Sequence, residues 1–162
     1  MVGKQAGAKD KGKDGRRQVA ALVWRRELDG SISILLMTSR ETGRAVIPKG
    51  WPMREHADHK SAAIEAYEEA GILGKVAKKP IGQYRYWKRL DTRFIFLTVD
   101  VFALEAREMR TEFPEQGQRS MNWLAPNAAA MLVDEPDLAA LIRSFSPKPV
   151  PAPAPEDQQG RA

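Results

Sequence analysis

Short apolar runs, each bounded by turn residues, occupy the first third of the chain. Val19-Ala20-Ala21-Leu22-Val23-Trp24 predicts a first strand. Asp29-Gly30 marks a hairpin turn. Residues 31–38, with Ile32, Ile34, Leu35 and Leu36, predict the partner strand. Glu41-Thr42-Gly43 turns the chain again, and residues 45–47 form a short strand leading into Pro48-Lys49-Gly50. The spacing then becomes helical. Residues 58–70 predict one helix, with Asp58 as N-cap and Gly71 as the residue just past its end. Strands return at about 81–87 and 93–103, the second holding Phe94-Ile95-Phe96-Leu97-Thr98-Val99-Asp100-Val101-Phe102. A short strand closing at Leu124, a helical turn over 127–132 and a last helix over 135–145, with Leu138, Leu141 and Ile142 inward, complete the pattern. Strands first, one helix in the middle and one at the end predict an α/β fold, a mixed sheet with helices on both faces.

The middle helix carries the chemistry. At about 100° per residue, Glu65, Glu68 and Glu69 share one face within an arc of roughly 100°, and Ala63, Ala66, Tyr67 and Ala70 fall on the opposite side. One face is small and apolar, fit to pack on a sheet; the other is a carboxylate cluster. Residues 65–71 include no cation to relieve the repulsion. A hard divalent ion is the natural remedy, because carboxylate oxygens are the ligands Mg²⁺ prefers. A solvated acidic face is the commoner fate of a Glu-rich helix, and it ranks second here because of what flanks the helix.

With Gly50, Glu65, Glu68, Glu69, Gly71 and Ile72 at the required spacing and Ala66 standing for a bulky aliphatic, the segment resembles the Nudix box: G, five residues, E, seven residues, R-E-U-x-E-E-x-G-U. Two positions depart from it. His56 stands for the box's first Glu and Ile64 for its Arg, so a supporting pair has been replaced while every metal-ligand position is kept. The lead-in Leu35-Leu36-Met37-Thr38-Ser39-Arg40, the stretch Val46-Ile47-Pro48-Lys49-Gly50, the basic entry Arg16-Arg17-Gln18 and the closing Asn122-Trp123-Leu124 look like the diphosphoinositol polyphosphate phosphohydrolase branch. The resemblance covers roughly residues 16–146 and is weak over 74–90. It implies a Nudix-type α/β/α sandwich, Glu68 as general base, Glu65, Glu68 and Glu69 with the Gly50 carbonyl as metal ligands, and Mg²⁺ (or Mn²⁺) as cofactor. It also implies phosphate contacts from Arg16, Arg17, Gln18, Thr38, Ser39 and Arg40. Lys49 adjoins the metal loop, and Arg54, Arg93 and Arg119 are further cationic candidates. Trp51 reads first as a packing residue and second as a stacking one.

Composition narrows the classes. The sequence has 162 residues, enough for one domain with a real core. It has no cysteine, which excludes disulfides, zinc-thiolate sites and thiol catalysis, and its two histidines, His56 and His59, read as exposed residues at the helix entry. No apolar run approaches the ~18 residues of a membrane helix, and the first residues lack the apolar segment of a signal peptide, so the expected location is cytoplasmic. The formal charge of +5 favours anionic partners. The domain expected over 16–146 is flanked by a disordered basic tail at 1–15 and a disordered Pro/Ala-rich tail at 147–162. The expected activity is Mg-dependent hydrolysis of a diphosphate linkage in a polyphosphorylated small molecule, with no membrane and no required nucleic acid. Two readings compete with an inositol-type substrate: a nucleoside or dinucleoside polyphosphate or RNA 5′-end pyrophosphohydrolase, and a Nudix-fold module that binds a phosphorylated ligand without cleaving it.

Overall fold

The computed structural model describes residues 15–148, so the basic and Pro/Ala-rich tails expected from the sequence lie almost wholly outside the described residues. Eleven elements follow in order: β1 (Arg17–Arg26), β2 (Ile32–Thr38), β3 (Ala45–Val46), β4 (Lys49–Gly50), α1 (Asp58–Ala70), β5 (Ile72–Val76), β6 (Gly82–Arg89), β7 (Phe94–Met109), β8 (Met121–Leu124), α2 (Pro126–Leu132) and α3 (Pro136–Ser144).

All eight strands join one sheet whose main path runs β3-β2-β1-β7-β5. β1 and β7 pair in parallel, from Arg17 opposite Thr98 to Trp24 opposite Glu105, and the other pairings are antiparallel. Both central strands are shared. β1 pairs with β4 at Val19 and Ala20 and with β2 at Trp24 to Arg26. β7 pairs with β6 over its first half and with β5 over its second. The flanking strands therefore change partway along the sheet, from β4 and β6 at one end to β2 and β5 at the other.

Period-2 alternation divides β1 between two cores. Val19, Ala21 and Val23 pack with Phe102, Leu104 and the α1 residues Ala62, Ala66 and Ala70. Ala20 and Leu22 pack with Ile34, Ile47, Val101 and, from α2 and α3, Ala129, Leu138 and Ile142. The result is the expected α/β/α sandwich, and alanines along α1 let that helix lie close on the sheet.

The structure alters several expectations. α1 keeps the bounds read from the sequence, and Gly71 takes the left-handed conformation (φ 70°) that ends it, but Ala57 rather than Asp58 is the N-cap, and it makes no side-chain capping bond. Asp58 is instead held by Arg17 at 2.8 Å. β4 and β5 were not foreseen. β4 is two residues long, and β5 contains Gly74, whose missing Cβ admits the Glu105 carbonyl where the register of β5 shifts against β7. β7 runs on to Met109, past the apolar stretch, because β5 supplies a partner for its second half.

Candidate active site

Glu65, Glu68 and Glu69 line an open cleft of about 1020 Å³, together with Lys49, Gly50, Trp51 and Arg119. Two of the glutamates are not on a solvated face. Glu65 is 3 % exposed and Glu69 8 %. This corrects the sequence picture of an apolar face opposed to an acidic one: Ser61, Ala62, Glu65, Ala66, Glu69 and Ala70 form one buried surface, while Ala63 and Tyr67 are half-buried.

The fold supplies the cations that the helix lacks. The Arg119 guanidinium lies 3.6 Å from Glu69 and 3.5 Å from Glu115, and it donates to the Thr38 carbonyl at 3.3 Å. Its Nε is buried and has no hydrogen-bond partner among the described residues. The backbone N–H of Lys49 donates to Glu69 at 3.2 Å, and the Lys49 ammonium sits 5.2 Å over the Tyr86 ring. Burial pushes the Glu69 carboxyl up to about 7; Arg119 and Lys49 pull it back, while Glu65 and Glu115 push it further. Burial lowers the Lys49 ammonium to about 8, opposed by the attraction of Glu69. Tyr86 is pushed upward by burial, so its hydroxyl stays protonated and donates to Gln18 at 2.6 Å.

Gly50 is fixed by geometry. A Cβ at this position would overlap the Glu65 carboxylate, so any other residue here requires that carboxylate to move. Among the described residues, however, no three acidic or histidine side chains converge into a ready ion cage. Glu69 is engaged by Arg119 and the Lys49 backbone, and Glu68 is half-buried and less constrained. The donor chemistry nevertheless fits a hard divalent ion: neighbouring carboxylates, two of them buried, beside a backbone cradle that a side chain would fill.

Of the other sequence candidates, Gln18, Ser39 and Arg40 line the same cleft. Arg40 is held by Glu115 at 3.1 Å and by Gln118 at 2.9 Å. Five candidates do not line it. Arg17 bridges Asp58 and Asp100, at 2.8 and 3.3 Å. Arg16 is exposed and its carbonyl accepts from Thr98. Thr38 acts through its main chain and its Oγ1, which accepts from the Ser120 N–H and so supports the segment bearing Arg119. Arg54 is exposed in the loop before α1, and Arg93 is exposed in the β6–β7 turn. His56 is exposed too, while His59 is half-buried with its ring 6.5 Å from Phe102.

Sequence reasoning missed one wall of the cleft. Arg85, Tyr86, Trp87, Lys88, Arg89 and Phe94 come from the β6–β7 hairpin, in the region where the family resemblance is weakest. The available signal was the run Arg85-Tyr86-Trp87-Lys88-Arg89, in which two aromatic rings are flanked by cations. The buried Glu135, paired with Arg44 at 3.4 Å, closes the end near α3.

The sheet, the two helical layers and the carboxylate helix define an α/β/α sandwich of the Nudix type. The chain is 31% identical over 118 residues to Nudix hydrolase 17, mitochondrial, of Arabidopsis thaliana, covering 68% of this chain and 63% of that protein. It is 28% identical over 123 residues to Nudix hydrolase 18, mitochondrial, of the same plant, covering 71% and 68%. With Nudix hydrolase 13, mitochondrial, also from Arabidopsis thaliana, the identity is 26% over 104 residues, and the chain spans about half of that relative's length, 52%. No family model matches the chain. Among solved structures, a C. elegans Ap4A hydrolase binary complex matches with a TM-score of 0.58 at 17% identity, over 79% of this chain and 93% of that one. The E. coli dihydroneopterin triphosphate pyrophosphohydrolase matches with a TM-score of 0.62 at 15% identity, over 86% and 97%. The solved structures establish the fold, and the sequence relatives support the Nudix hydrolase family for this chain. No described helix is long and apolar enough to cross a membrane.

Proposed function

We propose that the protein is a Nudix hydrolase that cleaves a diphosphate linkage in a polyphosphorylated small molecule with the help of Mg²⁺. The observation that carries this reading is the triad of α1 glutamates, two of them buried against the Gly50 loop and faced by Arg119. Burying two carboxylates without a ligand to serve is costly, and a structural salt bridge would need only one. A bound divalent ion would supply neutralisation of phosphate oxygens and acidification of a water.

The chain's own residues divide the remaining work. Glu65 and Glu69 would hold the ion beside Gly50. Glu68, half-buried at the cleft wall, takes the proton from the attacking water. Lys49 and Arg40 hold phosphate oxygens as charge develops on the leaving group. Arg119, here beside Glu69 and Glu115, would be free to serve the phosphates where a bound ion took over the compensation of Glu69.

A diphosphoinositol polyphosphate is one substrate consistent with the lead-in motifs. One observation favours the second reading, a nucleoside or dinucleoside polyphosphate or RNA 5′ end: Trp87 and Phe94 line the cleft, and an aromatic wall offers stacking to a nucleobase but nothing comparable to a saturated ring. The deciding experiment measures phosphate release from a panel of inositol pyrophosphates, dinucleoside polyphosphates, nucleoside triphosphates and 5′-triphosphorylated RNA, with and without Mg²⁺. Metal-dependent turnover of any member supports the hydrolase, and the ranking assigns the class. Saturable binding without turnover of any member would replace it with the binding-module reading.

A further inference from the structure

The β6–β7 hairpin carries more aromatic and cationic surface than a diphosphate site requires. Along its outward face Arg85, Trp87 and Arg89 alternate on β6, opposite Thr98, Phe96 and Phe94 on β7. Trp87 is 64 % exposed, Phe94 63 % and Phe96 42 %, whereas Phe102 and Leu104, farther along the same face of β7, are buried under α1. The reason is visible in the packing. Arg17 ties Asp58, at the start of α1, to Asp100, and at the other end of the helix the Gly71 carbonyl accepts from Arg110. α1 thus covers this face of β7 from about residue 100 onward and leaves Phe94 and Phe96 on it exposed. Three large rings together on one bare face form an unpartnered patch, unlike a scattered exposed side chain.

Three cations on and beside the hairpin differ from most arginines of the fold. Arg17, Arg25, Arg40, Arg44, Arg110 and Arg119 each meet a carboxylate. Arg85, Arg89 and Arg93 meet none among the described residues. Rings that offer π-faces, interleaved with cations that lack partners, match an anionic chain bearing flat bases. The rings form two stations. Trp87 and Phe96 are partners in register with centroids 4.9 Å apart, and Phe94, opposite Arg89, lies about 7 Å along the strand. Trp87 and Phe94 line the cleft and Phe96 lies outside it, so the patch continues past the space a single small molecule would fill.

We propose that the outward face of the β6–β7 hairpin binds single-stranded nucleic acid, with adjacent bases stacking on the Trp87/Phe96 pair and on Phe94 while Arg85, Arg89 and Arg93 follow the phosphates. The surface shares Arg85, Trp87, Arg89 and Phe94 with the hairpin wall of the cleft, but strand binding needs no metal and no cleavage and is read apart from them. A duplex keeps its bases stacked on each other and cannot use the rings, so the patch selects unpaired strands.

The test uses the full chain and a fluorescently labelled dodecauridine with a 5′-hydroxyl end, in chelator, so that no metal-dependent cleavage intervenes. Fluorescence anisotropy at 50 mM salt is expected to give saturable binding with Kd below about 100 μM. The slope of log K against log salt should be about −2, from three phosphate contacts. The Trp87→Ala/Phe96→Ala double variant should bind at least about tenfold more weakly. Arg85→Glu/Arg89→Glu should remove binding; it alters only exposed charges and decides the matter if the aromatic variant fails to fold. Four results would each overturn the proposal: no saturable binding by the parent protein, unchanged binding by both variants, equal binding of a duplex of the same length, or uridine monophosphate competing as well as the oligonucleotide.

Discussion

The two walls of the cleft follow opposite rules. On the α1 wall, charge is compensated across the fold: Glu69 meets Arg119 and the Lys49 backbone, Glu115 meets Arg40 and Arg119, and Gly50 gives way to Glu65. On the hairpin wall, Arg85 and Arg89 have no carboxylate partner among the described residues, and Trp87 and Phe94 stand in solvent. The first wall is fixed by its contacts, as the proposed reacting centre requires. The second is anchored by its ladder to β7 and by the inward Tyr84 and Tyr86, while its outward side chains remain available to a ligand. Substitutions should therefore be costly on α1 and its neighbours and mild on the hairpin.

The largest effect is expected at Gly50. Gly50→Ala drives a methyl group into the Glu65 carboxylate and should lower metal-dependent turnover about 10²-fold. Steady-state rates with a melting curve check this, and an unaffected rate would mean that the Gly50–Glu65 contact is incidental. Arg119→Met should come next. It leaves buried carboxylates without their cation, so the metal-free protein should lose about 3 kcal/mol in denaturant unfolding. Mg²⁺ should then raise the melting temperature of this variant more than that of the parent, because the ion takes over the missing compensation. Equal shifts in the two proteins would break the proposed exchange between Arg119 and metal. The smallest effect is expected on the other wall: Arg85→Glu and Arg89→Glu, read by the same unfolding curves, should change stability by no more than about 0.5 kcal/mol. A larger loss would show that the hairpin cations are structural.

The sequence made one wall readable and hid the other. α1 could be bounded because its period, its glycine stop and its three glutamates are all local to one segment. The burial of Glu65 and Glu69 could not be read, because the elements that enclose them, β4 and the segment bearing Arg119, lie far away in the chain. Arg119 stood among several equivalent cations until tertiary contacts separated it from Arg17 and Arg93. β4 is too short to show a period, and β5 looked like a loop because Gly74 and Lys75 interrupt its apolar pattern. The hairpin wall was predicted as strands, but only the point where α1 stops covering the sheet reveals that its rings are bare.

The most direct measurement compares Mg²⁺-dependent phosphate release by the parent protein and by Glu68→Gln, on the best substrate of the polyphosphate panel. Glutamine keeps the size of the side chain and cannot accept the proton. The expected result is metal-dependent turnover by the parent and a kcat at least about 10²-fold lower in the variant with KM little changed. An undiminished kcat in Glu68→Gln would contradict the assignment of the base, and a parent protein inert toward every member of the panel would contradict the hydrolase itself.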